Sequence, residues 1–232
     1  MPEPLDLPFG AGIDDDQLWS QVLNRVQNVP GIPPLGDLRR PALFLDRDGV
    51  IVEDAHYLHR PEDVRMIPGA AEVIARANTL GVPVIVVTNQ AGIARGKFAW
   101  QGFVKVQETI IETLDSQGAF LNAVFACPHH KDGKAPFDNP NHPWRKPNPG
   151  MLLEAAQRLP VDLSKSWLIG DREADVRAAK TAGLQGALHV LTGHGQDAGE
   201  REGAVALDGD GFQCLTAESV GEAGEVLPIL GK

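Results

Sequence analysis

The sequence predicts an α/β fold, a doubly wound parallel sheet with helices on both faces, and two observations predict it. Short, near-continuous apolar runs alternate with stretches whose apolar residues recur every three or four positions, the patterns of buried strands and amphipathic helices. Polar residues then collect at the C-terminal ends of the runs, at Asp46, Thr88, Asn89, Asp171 and Thr192. That edge is where open parallel sheets bind ligands.

In chain order, the first forty residues stand apart. Asp14 to Asp16 can cap an amphipathic stretch carrying Leu18, Val22 and Val26, ahead of the Pro- and Gly-rich segment 29–36. Residues 1–40 therefore read as an N-terminal extension, a docking helix with a linker, or equally as a partly disordered tail. The main domain is expected over 41–232. Strands are expected at 42–46, 82–89, 123–127, 166–171 and 187–192, and helices at 70–80, 101–117, 150–159 and 173–182. Residues 212–215 and 219–230 add a last strand and helix.

Composition narrows the class. The chain has 232 residues, 43% hydrophobic and 22% charged, as an ordinary globular protein does. Its apolar runs fall well short of the roughly 20 residues that cross a bilayer. The opening Met-Pro-Glu-Pro-Leu-Asp has no basic segment followed by an apolar one, so no secretory signal is expected. The two cysteines, Cys127 and Cys214, cannot build a disulfide scaffold. A cytoplasmic protein is expected. A net charge of −10 argues against nucleic acid and anionic membranes as partners. An anionic substrate would have to be drawn by local groups.

Four segments carry chemistry. In Leu43-Phe-Leu-Asp46-Arg-Asp48-Gly49, two carboxylates lie two residues apart where a strand ends and a glycine permits a sharp turn. Asp46 suits a nucleophile, and Asp48 can reach a leaving-group oxygen. An ordinary Asp-Gly turn is the bland alternative. Val86-Val-Thr88-Asn-Gln-Ala-Gly92 places a hydroxyl at a second strand end, before a turn whose free N–H groups suit phosphate oxygens; the alternative is a strand-to-helix connection capped by Thr88 or Asn89. Arg145-Lys146-Pro-Asn-Pro-Gly150 sets two cations before a helix, where Lys146 can neutralise a transferring phosphoryl group, or where the pair is only solvated charge. Leu168-Ile-Gly-Asp171 runs into a helix bearing Asp175. Asp171 can ligate a hard cation and Asp175 can hold Lys146 or a metal-bound water, unless both merely favour the helix dipole. Successive strands that end in the parts one mechanism needs outweigh the separate alternatives.

Asp46-x-Asp48, Thr88, Lys146 and Gly170-Asp171 with Asp175, in that order, resemble the four motifs of the haloacid dehalogenase superfamily phosphatases. The strings Asp46-Arg-Asp-Gly-Val-Ile51, Thr88-Asn-Gln-Ala-Gly-Ile-Ala-Arg-Gly96, Cys127-Pro-His-His130 and Arg145-Lys-Pro-Asn-Pro-Gly-Met151 are similar to the capless heptose-bisphosphate phosphatases and their histidinol-phosphatase relatives. The resemblance spans about 41–193. It implies a Rossmann-like domain without a large cap, and Mg²⁺ held by Asp46, the backbone carbonyl of Asp48, and Asp171. It implies that Thr88 and Lys146 hold the phosphoryl group, and that Arg145 with Asp54, His56 and Tyr57 recognises the sugar. Asn89 and Gln90 complete the expected substrate contacts, and a single chain is expected to act alone.

One segment departs from that pattern. The heptose phosphatases carry a structural zinc on Cys-x-His and a later Cys-x-Cys. Cys127 and His129 keep the first half, while His142-Pro-Trp144 stands at the second. Tryptophan is no metal ligand, so the expectation is a proline-stiffened loop at 136–143 without zinc; a full site would need His130 or Asp138 as well.

Three rivals remain. A signalling receiver domain shares the Asp, Thr and Lys but lacks an acid two residues after the nucleophile. A non-catalytic phosphate-binding module and a phosphotransferase are the others, the last disfavoured where no cap excludes water.

Overall fold

A computed structural model describes residues 7–8, 10–14, 17–23 and 38–231. Its strands are β1 (Ala11–Ile13), β2 (Trp19–Val22), β3 (Leu43–Leu45), β4 (Val84–Asn89), β5 (Ala123–Cys127), β6 (Trp167–Gly170), β7 (Gly186–Val190) and β8 (Gln213–Ala217). The helices are α1 (Ala70–Thr79), α2 (Ala91–Ala94), α3 (Trp100–Ser116), α4 (Gly150–Arg158), α5 (Glu173–Thr181), α6 (Glu200–Val205) and α7 (Ala223–Val226).

Among the described residues the strands form one 8-stranded sheet in the order β1-β2-β5-β4-β3-β6-β7-β8. From β5 to β8 every pairing is parallel. Alternation along β3 shows how the short apolar runs serve two cores. Leu43 and Leu45 pack with α1 and α3 on one face, and Phe44 packs with α4 and α5 on the other, as the two-residue strand period requires. No helix among the described residues is long and apolar enough to cross a membrane.

The chain runs β3 to β4 to β5 on one side of β3, then crosses to β6, β7 and β8 on the other. The switch therefore falls between β3 and β6, which pair directly through Leu45↔Ile169. Asp46 and Asp171 leave the tips of these two neighbours. A crevice opens at such a point because the connections on either side lead away from it.

The N-terminal segment departs from expectation. Instead of the amphipathic helix expected through Leu18 and Val22, β1 and β2 form an antiparallel hairpin, and β2 pairs antiparallel with β5, Trp19 opposite Ala126. The aspartate read as a helix cap closes the hairpin: Leu18 N donates to Asp14 Oδ1 at 2.8 Å and Gln17 N to Asp14 O at 2.9 Å, a local bond that Asp offers to turns as readily as to helices. Leu18 and Trp19 then face opposite cores. Trp19 is fully buried, stacked on Trp100 at 5.8 Å and edge-on to Phe103 at 5.4 Å, so tertiary aromatic packing overrides the helical spacing of Leu18 and Val22. The expected Pro/Gly linker at 29–36, and Val26, lie outside the described residues. At the other end, the four-residue α7 with a 3-10 turn on either side, over 220–230, replaces the single helix expected over 219–230, and α6 is an added helix.

Candidate active site

Every residue predicted to carry chemistry or touch substrate lines one cleft of about 640 Å³ at the switch point: Asp46, Asp48, Asp54, His56, Tyr57, Thr88, Asn89, Gln90, Arg145, Lys146 and Asp171. The buried strands bring them there. Asp46 N donates to Ile169 O at 3.0 Å, which continues the ladder one residue past β3. Gly49 follows with φ of 85°, a left-handed turn that folds the chain back over the sheet edge. A Cβ at Gly49 or at Gly193 would run into Asp171 Oδ2, so both glycines let backbone close around that carboxylate.

Lys146 arrives from the loop before α4. Its Nζ lies 3.0 Å from Asp46 Oδ1 and 2.6 Å from Asp175 Oδ1, and donates to Val87 O at 2.8 Å, which engages all three of its protons. Burial alone would lower the lysine, but Asp175 and Asp46 together outweigh it and hold it above the ordinary range. Asp175 is itself fixed in the first turn of α5, where its Oδ2 accepts Arg172 N at 3.1 Å.

The carboxylates outnumber this one cation. Burial first, offset by Lys146 and reinforced by Asp175 and Asp48, raises Asp46 to about 6. Burial, then Asp46 and Asp175, raises Asp171 to about 8. The Oδ1 of Asp171 is buried without a hydrogen-bond partner, and ligand atoms of Asp46, Asp171 and Asp175 lie within 4.8 Å of one another. An orphaned carboxylate oxygen amid excess negative charge fits a hard divalent cation with oxygen ligands. Both oxygens of Asp175 are engaged, by Lys146 and by Arg172 N, so Asp46 and Asp171 are the side chains left to hold it.

This balance makes stability depend on pH in an unusual direction. The folded protein keeps protons on Asp171 and Asp46 that the unfolded chain releases near pH 4, so stability falls as pH rises from about 4 through about 6 to about 8. Without divalent cations, melting temperature is expected to drop between pH 5 and 8, and millimolar Mg²⁺ to remove most of the drop. A metal-free melting temperature that rises over this window would contradict the charge balance described.

Two of the expected substrate contacts have other partners. Asn89 Nδ2 donates to Lys146 O and Asn89 Oδ1 accepts Lys146 N, both at 3.1 Å, so its amide braces the lysine's backbone. Gln90 Nε2 donates to Asp48 Oδ2 and to Thr88 Oγ1, both at 2.9 Å, and so ties two expected catalytic groups together. Asp54, His56 and Tyr57 do form one wall. His56 and Tyr57 both have positive φ, 46° and 67°, a conformation that costs free energy away from glycine and persists only where neighbours enforce it. Asp54 Oδ1 accepts His56 N at 3.0 Å, and Tyr57 OH lies 2.6 Å from Arg95 Nη1.

Sequence reasoning missed Arg47, Arg172 and His194, which also line the cleft. His194 N donates to Asp171 Oδ2 at 2.7 Å, and its ring bridges Asp54 at 2.8 Å and Asp197 at 2.7 Å. Its only signal was its place two residues after Thr192, at the next strand end. Arg172 was flagged by nothing but adjacency to Asp171. Along the outer cleft, burial and then the charges of Arg95 and Arg172 weigh against the cation on Arg145, so this rim favours an anion.

Cys127, His129 and His142 come together in the loop that was expected to stand without zinc. His129 and His142 stack face to face at 4.1 Å and 4°. His142 Nδ1 accepts Trp144 N at 3.1 Å, with Cys127 Sγ 3.9 Å away. Burial pushes the Cys127 thiol up to about 12. Trp144 packs edge-on against Phe125 at 5.7 Å, in the half of the loop where a second ligand pair would stand.

Comparison with known proteins agrees with this geometry. Residues 43–118 match the haloacid dehalogenase-like hydrolase family and residues 143–208 the HAD-hydrolase-like family. The chain is 50% identical over 144 residues to the D-glycero-beta-D-manno-heptose-1,7-bisphosphate 7-phosphatase of Mesorhizobium japonicum, a match covering 62% of this chain and 66% of that one. To the enzyme of the same name from Rhodopseudomonas palustris it is 43% identical over 148 residues, 64% of this chain and 82% of that one. The crystal structure of the B. bronchiseptica D,D-heptose 1,7-bisphosphate phosphatase, complexed with magnesium and phosphate, superposes with a TM-score of 0.66 at 31% identity, covering 80% of this chain and 97% of that one.

Proposed function

The chain belongs to the haloacid dehalogenase-like hydrolases, among the heptose-bisphosphate phosphatases, and on that premise we propose that it removes the 7-phosphate of D-glycero-D-manno-heptose 1,7-bisphosphate with Mg²⁺ as cofactor. The observation that carries this reading is the convergence of Asp46, Asp48, Thr88, Lys146 and Asp171 on one cleft at the sheet's switch point.

Asp46 attacks phosphorus in line with the departing sugar oxygen, while Asp48 gives that oxygen a proton. The resulting aspartyl-phosphate is then attacked by water, with Asp48 now the base. Thr88 holds a phosphoryl oxygen, and Lys146 holds another once its 3.0 Å contact with Asp46 passes to the phosphoryl group. Mg²⁺ between Asp46, Asp171 and the Asp48 carbonyl would offset the repulsion between carboxylate and phosphate. The substrate's second phosphate matches the outer rim of Arg95, Arg145 and Arg172, and the strained 54–57 loop is the wall against which the sugar rests. All these groups come from one chain, which supports a single-chain catalytic unit. In this reading packing rather than zinc holds the loop over 127–144, and the enzyme works in the cytoplasm.

A panel of phosphorylated metabolites ranked by kcat/KM tests the substrate. The heptose bisphosphate is expected to lead histidinol phosphate and heptose 7-phosphate by about tenfold or more, the order of one lost charge-assisted contact, and EDTA to stop turnover of all three. Equal or better use of histidinol phosphate would defeat this assignment.

A further inference from the structure

Arg47 sits between the two aspartates of the first motif, yet it faces away from solvent at 1% exposure. Its Nε and Nη2 reach both carboxylate oxygens of Asp48 at 3.0 to 3.3 Å. Nη2 also donates to Gln90 Oε1 at 3.2 Å, and Gln90 Nε2 returns to Asp48 Oδ2 at 2.9 Å. A closed ring of three side chains results. The orientation of the Gln90 amide follows from its neighbours, since the reverse would set its NH₂ against the guanidinium and its carbonyl against the carboxylate. The guanidinium lies over the Phe103 ring at 5.2 Å, and its Nη1 is buried without a hydrogen-bond partner. A buried arginine with one amino group unpaired is an expensive part for a core.

We propose that Arg47 and Gln90 are positioning residues that clamp Asp48 and set the plane from which it delivers its proton to the leaving group. The same ring orders Thr88. Because Thr88 Oγ1 accepts a hydrogen bond from Gln90 Nε2 at 2.9 Å, its own hydroxyl proton is left for a phosphoryl oxygen. Backbone anchors hold the clamp, since Gln90 N donates to Cys127 O at 2.7 Å and so fixes Gln90 to the end of β5. The inference rests on the phosphatase reading and on Asp48 as its acid.

Leaving-group dependence separates this role from a merely structural one. A sugar phosphate departs as a poor alkoxide and needs the acid, whereas 4-nitrophenyl phosphate departs as a stable phenolate and needs it far less. The quantity to compare is kcat/KM, which reports the first step and excludes Asp48's later work as base. Arg47→Met and Gln90→Leu are each expected to lower kcat/KM for the sugar phosphate by about 10²-fold, within the range for a displaced general acid, and for 4-nitrophenyl phosphate by at least tenfold less. Asp48→Ala should show the same selectivity, and adding Arg47→Met to it should cost little more. Arg47→Lys, which keeps the charge but not the fork, should fail to rescue.

Equal losses on both substrates, or full additivity with Asp48→Ala, would overturn the clamp. If Arg47→Met does not fold, Gln90→Leu carries the same comparison by itself. Wild-type enzyme inert on both substrates would instead overturn the phosphatase reading beneath it.

Discussion

Asp46→Asn is expected to lower kcat by at least about 10⁴-fold, the scale on which loss of an attacking group is felt, while the fold survives. Asparagine keeps the shape and can still face Lys146, but its amide is no nucleophile. Folding should tolerate the change because Lys146 keeps its 2.6 Å partner Asp175, and because the substitution relieves crowding among carboxylates that burial already strains. Metal-free Asp46→Asn should therefore melt within a few degrees of the parent. Single-turnover assays with ³²P-labelled substrate should leave no label on the protein. Turnover within tenfold of the parent would mean that phosphorus is not transferred to Asp46.

Lys146→Met is expected to damage both stability and rate. The lysine is 4% exposed, and its removal leaves Asp46 and Asp175 facing one another without a cation. Breaking a buried pair from one side costs about 3–5 kcal/mol, which urea unfolding in metal-free buffer should show. The rate should fall by about 10²–10³-fold, as when one preorganised donor to a developing charge is lost. Arginine should not restore it, since the planar fork cannot occupy a slot in which one nitrogen meets Asp46, Asp175 and the Val87 carbonyl together. A Lys146→Met protein as stable as the parent would show that the pair is not what holds the carboxylates in place.

The two substitutions also explain why so much of the site was legible. Buried parallel strands read as continuous apolar runs, so the β3, β4, β5 and β6 tips could be placed to within a residue or two, and a polar residue that ends such a run has few structural reasons to be there. What could not be read was which polar group meets which across space. Asn89 follows Thr88 directly, but its partner Lys146 lies 57 residues on. Gln90 was expected to touch substrate, and its bonds to Asp48 and Thr88 had no signal in the sequence. Arg47 looked like a spacer between two aspartates.

The hairpin shows the opposite failure. Asp14 followed by Leu18 and Val22 satisfies helical periodicity, and an aspartate caps turns and helices by the same bond. Only a partner strand distant in sequence decides between them. Trp19 offered the one local hint, since a large aromatic suits a half-buried sheet better than a polar helix face.

That pairing also sets an order of assembly during synthesis. Trp19 and β2 are made long before Ala123–Cys127, the strand they join, and before the α3 aromatics that cover the indole. Until then the first-made strands have no sheet to extend. Until β5 and α3 are made, the nascent chain carries an unsheltered tryptophan and an unpaired strand edge, the kind of exposed surface that invites wrong partners. The last seam to close at this side of the sheet is thus its earliest-made part, and a ribosome stalled ahead of residue 123 should present it to chaperones.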